Sequence, residues 1–208
     1  MSRAALLDLA RRCDQRGLNH GSTGNLSVRT RAGFLITPSA VPPDRLTESA
    51  MVELAPDGSA REGGTPSSEW RLHAAIYGAH PEAGAIVHTH STFATTLACL
   101  RQDLPAVHYM LAITGGDRVR CSRYAPFGTT DLSAAALEAL GTSRACLLAN
   151  HGLVAVGLNL EQALRIAVEV EVVAEYWLRA RAVGEPVVLS ATEMADAIQR
   201  FTSYGGEP

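Results

Sequence analysis

Two short apolar runs that each lead into histidine constrain this chain more than any other feature. Ala85-Ile86-Val87-His88-Thr89-His90 and Ala145-Cys146-Leu147-Leu148-Ala149-Asn150-His151 both read as buried strands. Residues two apart in a strand point to the same side, so His88 and His90 face one point. Neutral imidazole is the commonest metal-binding side chain, and a pair at this spacing holds a zinc-like ion at about 2.0–2.1 Å once a third ligand arrives. His151, at the end of the second run, is the third candidate. Three histidines without an obligatory fourth protein ligand leave a coordination position open, which is the arrangement of a catalytic zinc rather than a structural one. Taken alone, the same residues also fit ordinary polar positions at strand ends.

The rest of the chain supplies the surroundings. Residues 2–16 read as an amphipathic helix capped by Ser2 and ended by Gly17, with Leu6, Leu9, Ala10 and Cys13 on one face. Strands are expected at 26–29 and 34–37 as a hairpin, and at 51–55 with a partner beyond the turn Pro56-Asp57-Gly58. A helix launched from residues 63–68 runs to about residue 79, and 91–100 and 130–140 also read as helical, the latter capped by Thr130. Residues 117–121 and 153–156 read as extended. Asn159 with Gln162 starts a long helix over 160–182, and the capping box Ser190/Glu193 opens a last helix to about Phe201. This pattern predicts one domain over residues 1–208, a three-layer α/β or α+β arrangement in which most of the first third is antiparallel sheet. The long helix is apolar on more than one stripe, so it is either sandwiched within the domain or meets another subunit.

Charge and thiols exclude other functions. With 18 basic and 21 acidic residues and a net charge of −3, there is no basic stripe for nucleic acid or an anionic membrane. Cys13, Cys99, Cys121 and Cys146 lack CxxC spacing and read as reduced core thiols of a cytoplasmic protein. No apolar run approaches membrane-spanning length, and Asp8, Arg11 and Arg12 interrupt any signal-peptide core.

A second cluster is Pro66-Ser67-Ser68-Glu69-Trp70-Arg71-Leu72-His73. A helix N-terminus with two hydroxyls and unpaired N–H groups attracts anions, and Glu69 is expected in the first turn. By itself the pattern is equally that of serine capping with an acid complementing the helix dipole. Thr23-Gly24-Asn25 and Thr37-Pro38-Ser39 add further small donors.

Taken together and in order, the blocks Gly24-Asn25-Leu26-Ser27-Val28-Arg29, Leu35-Ile36-Thr37-Pro38, Pro66-Ser67-Ser68-Glu69-Trp70-Arg71, His88-Thr89-His90, Pro105-Ala106-Val107-His108-Tyr109-Met110, Phe127-Gly128-Thr129 and His151-Gly152-Leu153 resemble the class II aldolase/adducin family. The resemblance runs from the first helix to Tyr204. It implies the family's three-layer α/β/α fold and one zinc ion per chain on His88, His90 and His151. It also implies Glu69 as catalytic acid/base, and a phosphate pocket at Gly24, Asn25, Thr37, Ser67 and Ser68. It further implies a fourfold-symmetric homotetramer with active sites at subunit contacts. There Tyr109 would handle the proton on the aldehyde oxygen, and Phe127 and Tyr204 would line the aldehyde pocket. The implied reaction is retro-aldol cleavage of a ketose 1-phosphate, such as L-fuculose 1-phosphate, to dihydroxyacetone phosphate and a small aldehyde. The 18 basic residues are all arginine, so a lysine imine mechanism is excluded by composition.

Two departures stand out. The family's phosphate loop reads Thr-Pro-Thr-Gly where this chain has Thr37-Pro38-Ser39-Ala40, and replacing glycine by alanine restricts φ there. The tail beyond Tyr204 is short and glycine-rich. A methylthioribulose-1-phosphate dehydratase and a sugar-phosphate 4-epimerase share much of the pattern, although the epimerases resemble this chain with Asp in place of Glu69. An adducin-like interaction module is the alternative without catalysis.

Overall fold

The protein is described by a computed structural model that covers residues 2–62 and 64–204, the side chains of 202–204 excepted. Helix α1 (Arg3–Gln15) starts where the Ser2 hydroxyl accepts the Ala5 N–H at 3.3 Å, and it buries Leu6, Leu9, Ala10 and Cys13 as its period requires. Strands β1 (Asn25–Arg29), β2 (Phe34–Ile36), β3 (Val52–Leu54) and β4 (Ala60–Glu62) follow, then helix α2 (Trp70–Ala79) and strand β5 (Ala85–Thr89). Next come α3 (Thr92–Leu100), the short strands β6 (Leu104–Pro105) and β7 (Arg118–Val119), and α4 (Thr130–Leu140). The hairpin β8 (Ala145–Leu148) and β9 (Gly152–Gly157) leads to α5 (Leu160–Val183) and α6 (Ala191–Tyr204).

Seven strands form one sheet in the order β4-β3-β2-β1-β5-β9-β8, and every pairing in it is antiparallel. Strand alternation divides its side chains between two layers. Leu26, Val28, Ala85, Val87, Leu153 and Ala155 point to one core, shared with Leu6, Leu97 and Ala167 of α1, α3 and α5. Ile86, Cys146, Leu148, Val154 and Val156 point to the other, against Leu72, Ile76, Leu132 and Ala136 of α2 and α4. Apolar runs are long in β5, β8 and β9 because both faces of the sheet are covered. The fold is thus the expected three-layer α/β/α arrangement around an antiparallel sheet.

Several local expectations are corrected. Helix α4 is capped by Thr129, whose hydroxyl accepts the Leu132 N–H at 3.2 Å, and not by Thr130. Within the extended segment at 117–121, Arg118–Val119 pairs with Leu104–Pro105 in a two-stranded sheet, and Cys121 forms a parallel bridge to Leu147 of β8. Tyr109–Thr114 is a 3₁₀ helix that no periodicity announced. Cys99 is exposed, whereas Cys13 and Cys146 are buried; all four thiols are free. Helix α5 is apolar on several sides because it packs on β5 and β9 and also on α1 and α3. Val168, Val172 and Trp177 remain half-buried at its margins.

One half-buried carboxylate joins two layers of this arrangement. Ser91, the residue preceding α3, makes no side-chain capping bond. Instead Glu171 of α5 accepts from the Phe93 and Ala94 N–H groups, both at 2.8 Å, and from the Ser91 hydroxyl at 2.7 Å. A negative charge on the orphan donors of a helix N-terminus is favourable both as hydrogen bonding and against the helix dipole. The contact fixes α3 directly after His90. Glu171→Ala is expected to cost about 2 kcal/mol and to lower Tm by about 4–8 °C. A thermal melt unchanged within 1 °C (on the order of 0.3 kcal/mol) would show that water replaces the carboxylate at no cost.

Candidate active site

The strand period does bring the histidines together. His88 and His90 project from the end of β5 toward the α2 layer, and His151 reaches the same point from the β8–β9 turn. Their rings meet edge to face in all three pairs, with centroids 4.8–5.0 Å apart. The His88 Nδ1 lies 2.9 Å from the Leu153 carbonyl oxygen, which can only accept, so Nδ1 carries a hydrogen and Nε2 is the atom left to face Glu69 and the other imidazoles. The His90 backbone is tied by its N–H to Asn19 Oδ1 at 3.0 Å. Beside His151, Asn150 takes the left-handed conformation at φ 54°, steadied by Arg101 Nε on its Oδ1 at 2.8 Å. Gly152 permits the close approach, since a Cβ there would run into the Thr89 carbonyl oxygen and lie 3.1 Å from the His90 ring.

Glu69 completes the cluster. Its Oε2 is 3.1 Å from His88 Nε2 and its Oε1 is 3.3 Å from His151 Nε2, while the His88 and His90 Nε2 atoms are 3.2 Å apart. One donor atom from each of the four residues lies within 4.8 Å of the others. Glu69 Oε1 is buried with no hydrogen-bond partner. Burial pushes the Glu69 carboxyl up, but the imidazoles of His88 and His151 outweigh it and hold the group well below the usual carboxylate range. Burial likewise opposes charge on His88, and the Glu69 carboxylate reverses that and raises it. Burial and repulsion from His88 lower His90 to about 3 and His151 to about 4. Lone pairs facing one another beside an orphaned carboxylate oxygen are repulsive unless a cation sits among them. One centre of positive charge is favoured here and further protons are not, so the donor set fits a divalent metal ion.

Three of the four residues, Glu69, His90 and His151, lie on the wall of a cavity of about 270 Å³. Gly24, Asn25, Ser67 and Ser68 line the cavity together with Glu69, His90 and His151. Helix α2 begins at Trp70 with Glu69 as its N-cap, so Glu69 stands just before the first turn instead of in it. Neither serine caps the helix in the usual way; the Ser67 Oγ accepts the Glu69 N–H at 3.3 Å. Thr37 does not reach the cavity wall: it is buried, and its Oγ1 accepts the Leu26 N–H at 3.1 Å. The loop after it does line the cavity, and Ala40 there sits at φ 57°. The alanine thus adopts the conformation a glycine would take, at a cost of about 1–2 kcal/mol.

Phe127 lines the cavity at 71% exposure. Tyr109 does not line it; the ring is 54% exposed and stacks on His108 at 4.7 Å. Helix α6 ends at Tyr204, whose side chain lies outside the described residues. Two residues that sequence reasoning passed over belong to the site. Asn19 holds His90 and packs beneath Gly24, where a Cβ would run into its amide. His73 is fully buried and hydrogen-bonded to Asn25. The spacing of His73 four residues after Glu69 on one helix was the available signal.

Comparison with known proteins agrees with this geometry. Residues 4–178 match the class II aldolase and adducin N-terminal domain. The chain is 46% identical over 203 residues to 5-methylthioribulose-1-phosphate/5-deoxyribulose-1-phosphate aldolase of Rhodospirillum rubrum, covering 98% of this chain and 92% of that protein. It is 44% identical over 201 residues to L-fuculose phosphate aldolase of Escherichia coli K12, covering 96% and 94%. A solved L-fuculose 1-phosphate aldolase superimposes with a TM-score of 0.93 at 40% identity, over 96% of this chain and 95% of that one. The chain belongs to the class II aldolase and adducin family, among its aldolases.

Proposed function

We propose that this chain is a zinc-dependent aldolase that splits a ketose 1-phosphate between C3 and C4 into dihydroxyacetone phosphate and a small aldehyde. L-Fuculose 1-phosphate or a related deoxy-ketose 1-phosphate is the substrate. The observation that carries the reading is the Glu69 carboxylate set within 3.3 Å of imidazole nitrogens on the wall of a cavity that Ser67, Ser68 and Gly24 also line. His88, His90 and His151 would hold the ion, with Glu69 adjoining. Bound there, it supplies a Lewis acid for the negative charge that gathers on the ketone fragment as the bond breaks.

The chain's own groups do the rest. The Ser67 and Ser68 hydroxyls and the backbone at Gly24 receive the phosphate, and the left-handed Ala40 keeps the neighbouring loop in place. Glu69, held as a carboxylate, removes a proton from C3 of dihydroxyacetone phosphate in condensation; in cleavage it first takes up the proton that the C4 hydroxyl gives up and then delivers one to C3. Asn25 keeps its amide on Glu69 at 2.9 Å, so its part in the reading shifts from phosphate toward the acid/base. Thr37 supports the phosphate loop from behind. Phe127, at the mouth, offers an apolar wall to the aldehyde tail, which suits a deoxy or methylthio end better than a hydroxylated one. Tyr109 is too exposed on its own chain to act there, which supports a homotetramer in which it serves a neighbour's site. The lack of any disulfide among the four thiols fits a cytoplasmic setting.

A panel of ketose 1-phosphates offered to zinc-loaded, size-resolved protein tests the reading. Dihydroxyacetone phosphate should be released from a deoxy-ketose 1-phosphate by the tetramer fraction. Loss of water from 5-methylthioribulose 1-phosphate without that release would replace the aldolase by a dehydratase, and a fully active monomer would remove Tyr109 from the mechanism. Glu69→Gln should retain fold and metal while kcat falls by about 10²–10⁴, the usual worth of a positioned proton carrier. Unchanged turnover would mean that another group moves the proton.

A further inference from the structure

Between β1 and α2 lies a closed run of polar side chains that starts at Glu69 and Asn25 and continues through three residues the reaction described above does not use, His73, Ser27 and Tyr77. Glu69, His73 and Tyr77 are spaced by four along α2, and Asn25 and Ser27 by two along β1, so the two periods place all five on facing sides of one seam. Asn25, Ser27, His73 and Tyr77 are all 6% exposed or less. Their hydrogen positions follow from what each partner can do.

A carboxylate only accepts, so Asn25 turns its Nδ2 toward Glu69 Oε2 at 2.9 Å and its Oδ1 toward His73. That oxygen only accepts, so the His73 Nε2, 2.6 Å away, carries the ring hydrogen. Burial, with His88 adding to it, lowers His73 to about 3, so the ring is neutral and its Nδ1 is bare. Nδ1 therefore accepts from the Ser27 hydroxyl at 2.6 Å. The Ser27 oxygen in turn accepts from the Tyr77 hydroxyl at 2.8 Å. Every bond points the same way, from Tyr77 to Glu69. An Asn25 amide turned over would set its oxygen against the carboxylate, and would also require His73 to change tautomer and Ser27 to stop donating.

We propose that His73, supported by Ser27 and Tyr77, is a positioning residue: acting through Asn25, it holds the Glu69 carboxylate in one orientation toward the reacting carbon. The inference rests on Glu69 being the proton carrier of the proposed reaction. It assigns a purpose to a fully buried histidine that neither touches the metal donors nor faces the cavity. It also explains why the sequence sets Asn25-Leu26-Ser27 against Glu69, His73 and Tyr77 as one unit.

The test isolates the proton step. Zinc-loaded, full-length protein is incubated with dihydroxyacetone phosphate in D2O, and exchange at C3 is followed by NMR without any aldehyde. Wild type should exchange C3, and Glu69→Gln should not; absence of exchange from wild type defeats the proposed function itself. His73→Leu should exchange about tenfold more slowly, with the concentration for half-maximal rate and the zinc content unchanged. His73→Gln, whose amide N–H can still donate to Asn25 Oδ1, should stay within about threefold of wild type. Wild-type rates in His73→Leu, or equal losses in the Leu and Gln variants, would reduce His73 to a packing residue. Should His73→Leu fail to fold, the ring ¹⁵N shifts of His73 in the wild type decide the matter. A neutral Nε2–H tautomer is required, and a neutral Nδ1–H ring or a charged one would overturn the relay.

Discussion

The Glu69 carboxylate is 6% exposed, and taking such a charge out of water costs several kcal/mol unless its surroundings return the loss. Most of what is unusual near it follows from that demand. One oxygen is met by the Asn25 amide and by His88, and the other is left facing His151 without a hydrogen bond. The three imidazoles turn their Nε2 atoms to the same point, where neutral rings would only add lone pairs to the crowding. A cation is what makes the set consistent, and this is why geometry that would be poor as a packed core is good as a metal-assisted reaction centre.

The sheet makes that convergence possible. Antiparallel pairing sets Asn25 opposite His88 and Val154 on the other side of His88, so β1, β5 and β9 form the floor of the site. Loops contribute where reach is needed: the β8–β9 turn delivers His151, and the left-handed Ala40 and Asn150 accept backbone strain beside the cavity. Glu171 holds α3 in place immediately after His90, so the candidate metal donors, the polar seam behind Glu69 and the helix that follows them share one frame.

How much of this could be read from the chain differs with the range of the interaction. Alternation and capping chemistry are local, and they gave the strands around His88 and His151, the amphipathic α1 and the Asn159 start of α5. The His-x-His pair with His151 was legible because strand ends aim their side chains predictably. The expectations of Glu69 in the first turn of α2 and of Thr130 as the cap of α4 each miss by one residue, because adjacent hydroxyls and carboxylates compete for one cap position and only tertiary contacts choose between them. Tyr109–Thr114 went unseen because a 3₁₀ helix has no strong apolar period. Asn19 and His73 were missed for a different reason. Their partners, His90 and Asn25, lie 71 and 48 residues away; the four-residue spacing from Glu69 puts His73 on the same helix face but does not name Asn25, and nothing local marks Asn19.

The central claim is that the three histidines and Glu69 form a metal-assisted centre, and metal content tests it most directly. Purified wild-type protein and His90→Ala, both exposed to zinc and then freed of loosely bound ions, are compared by elemental analysis and by zinc-edge X-ray absorption. The account predicts about one zinc per chain in the wild type, bound by imidazole nitrogen at about 2.0–2.1 Å, and little retained by the variant. Equal zinc in both proteins, or a wild type that retains none, would contradict it.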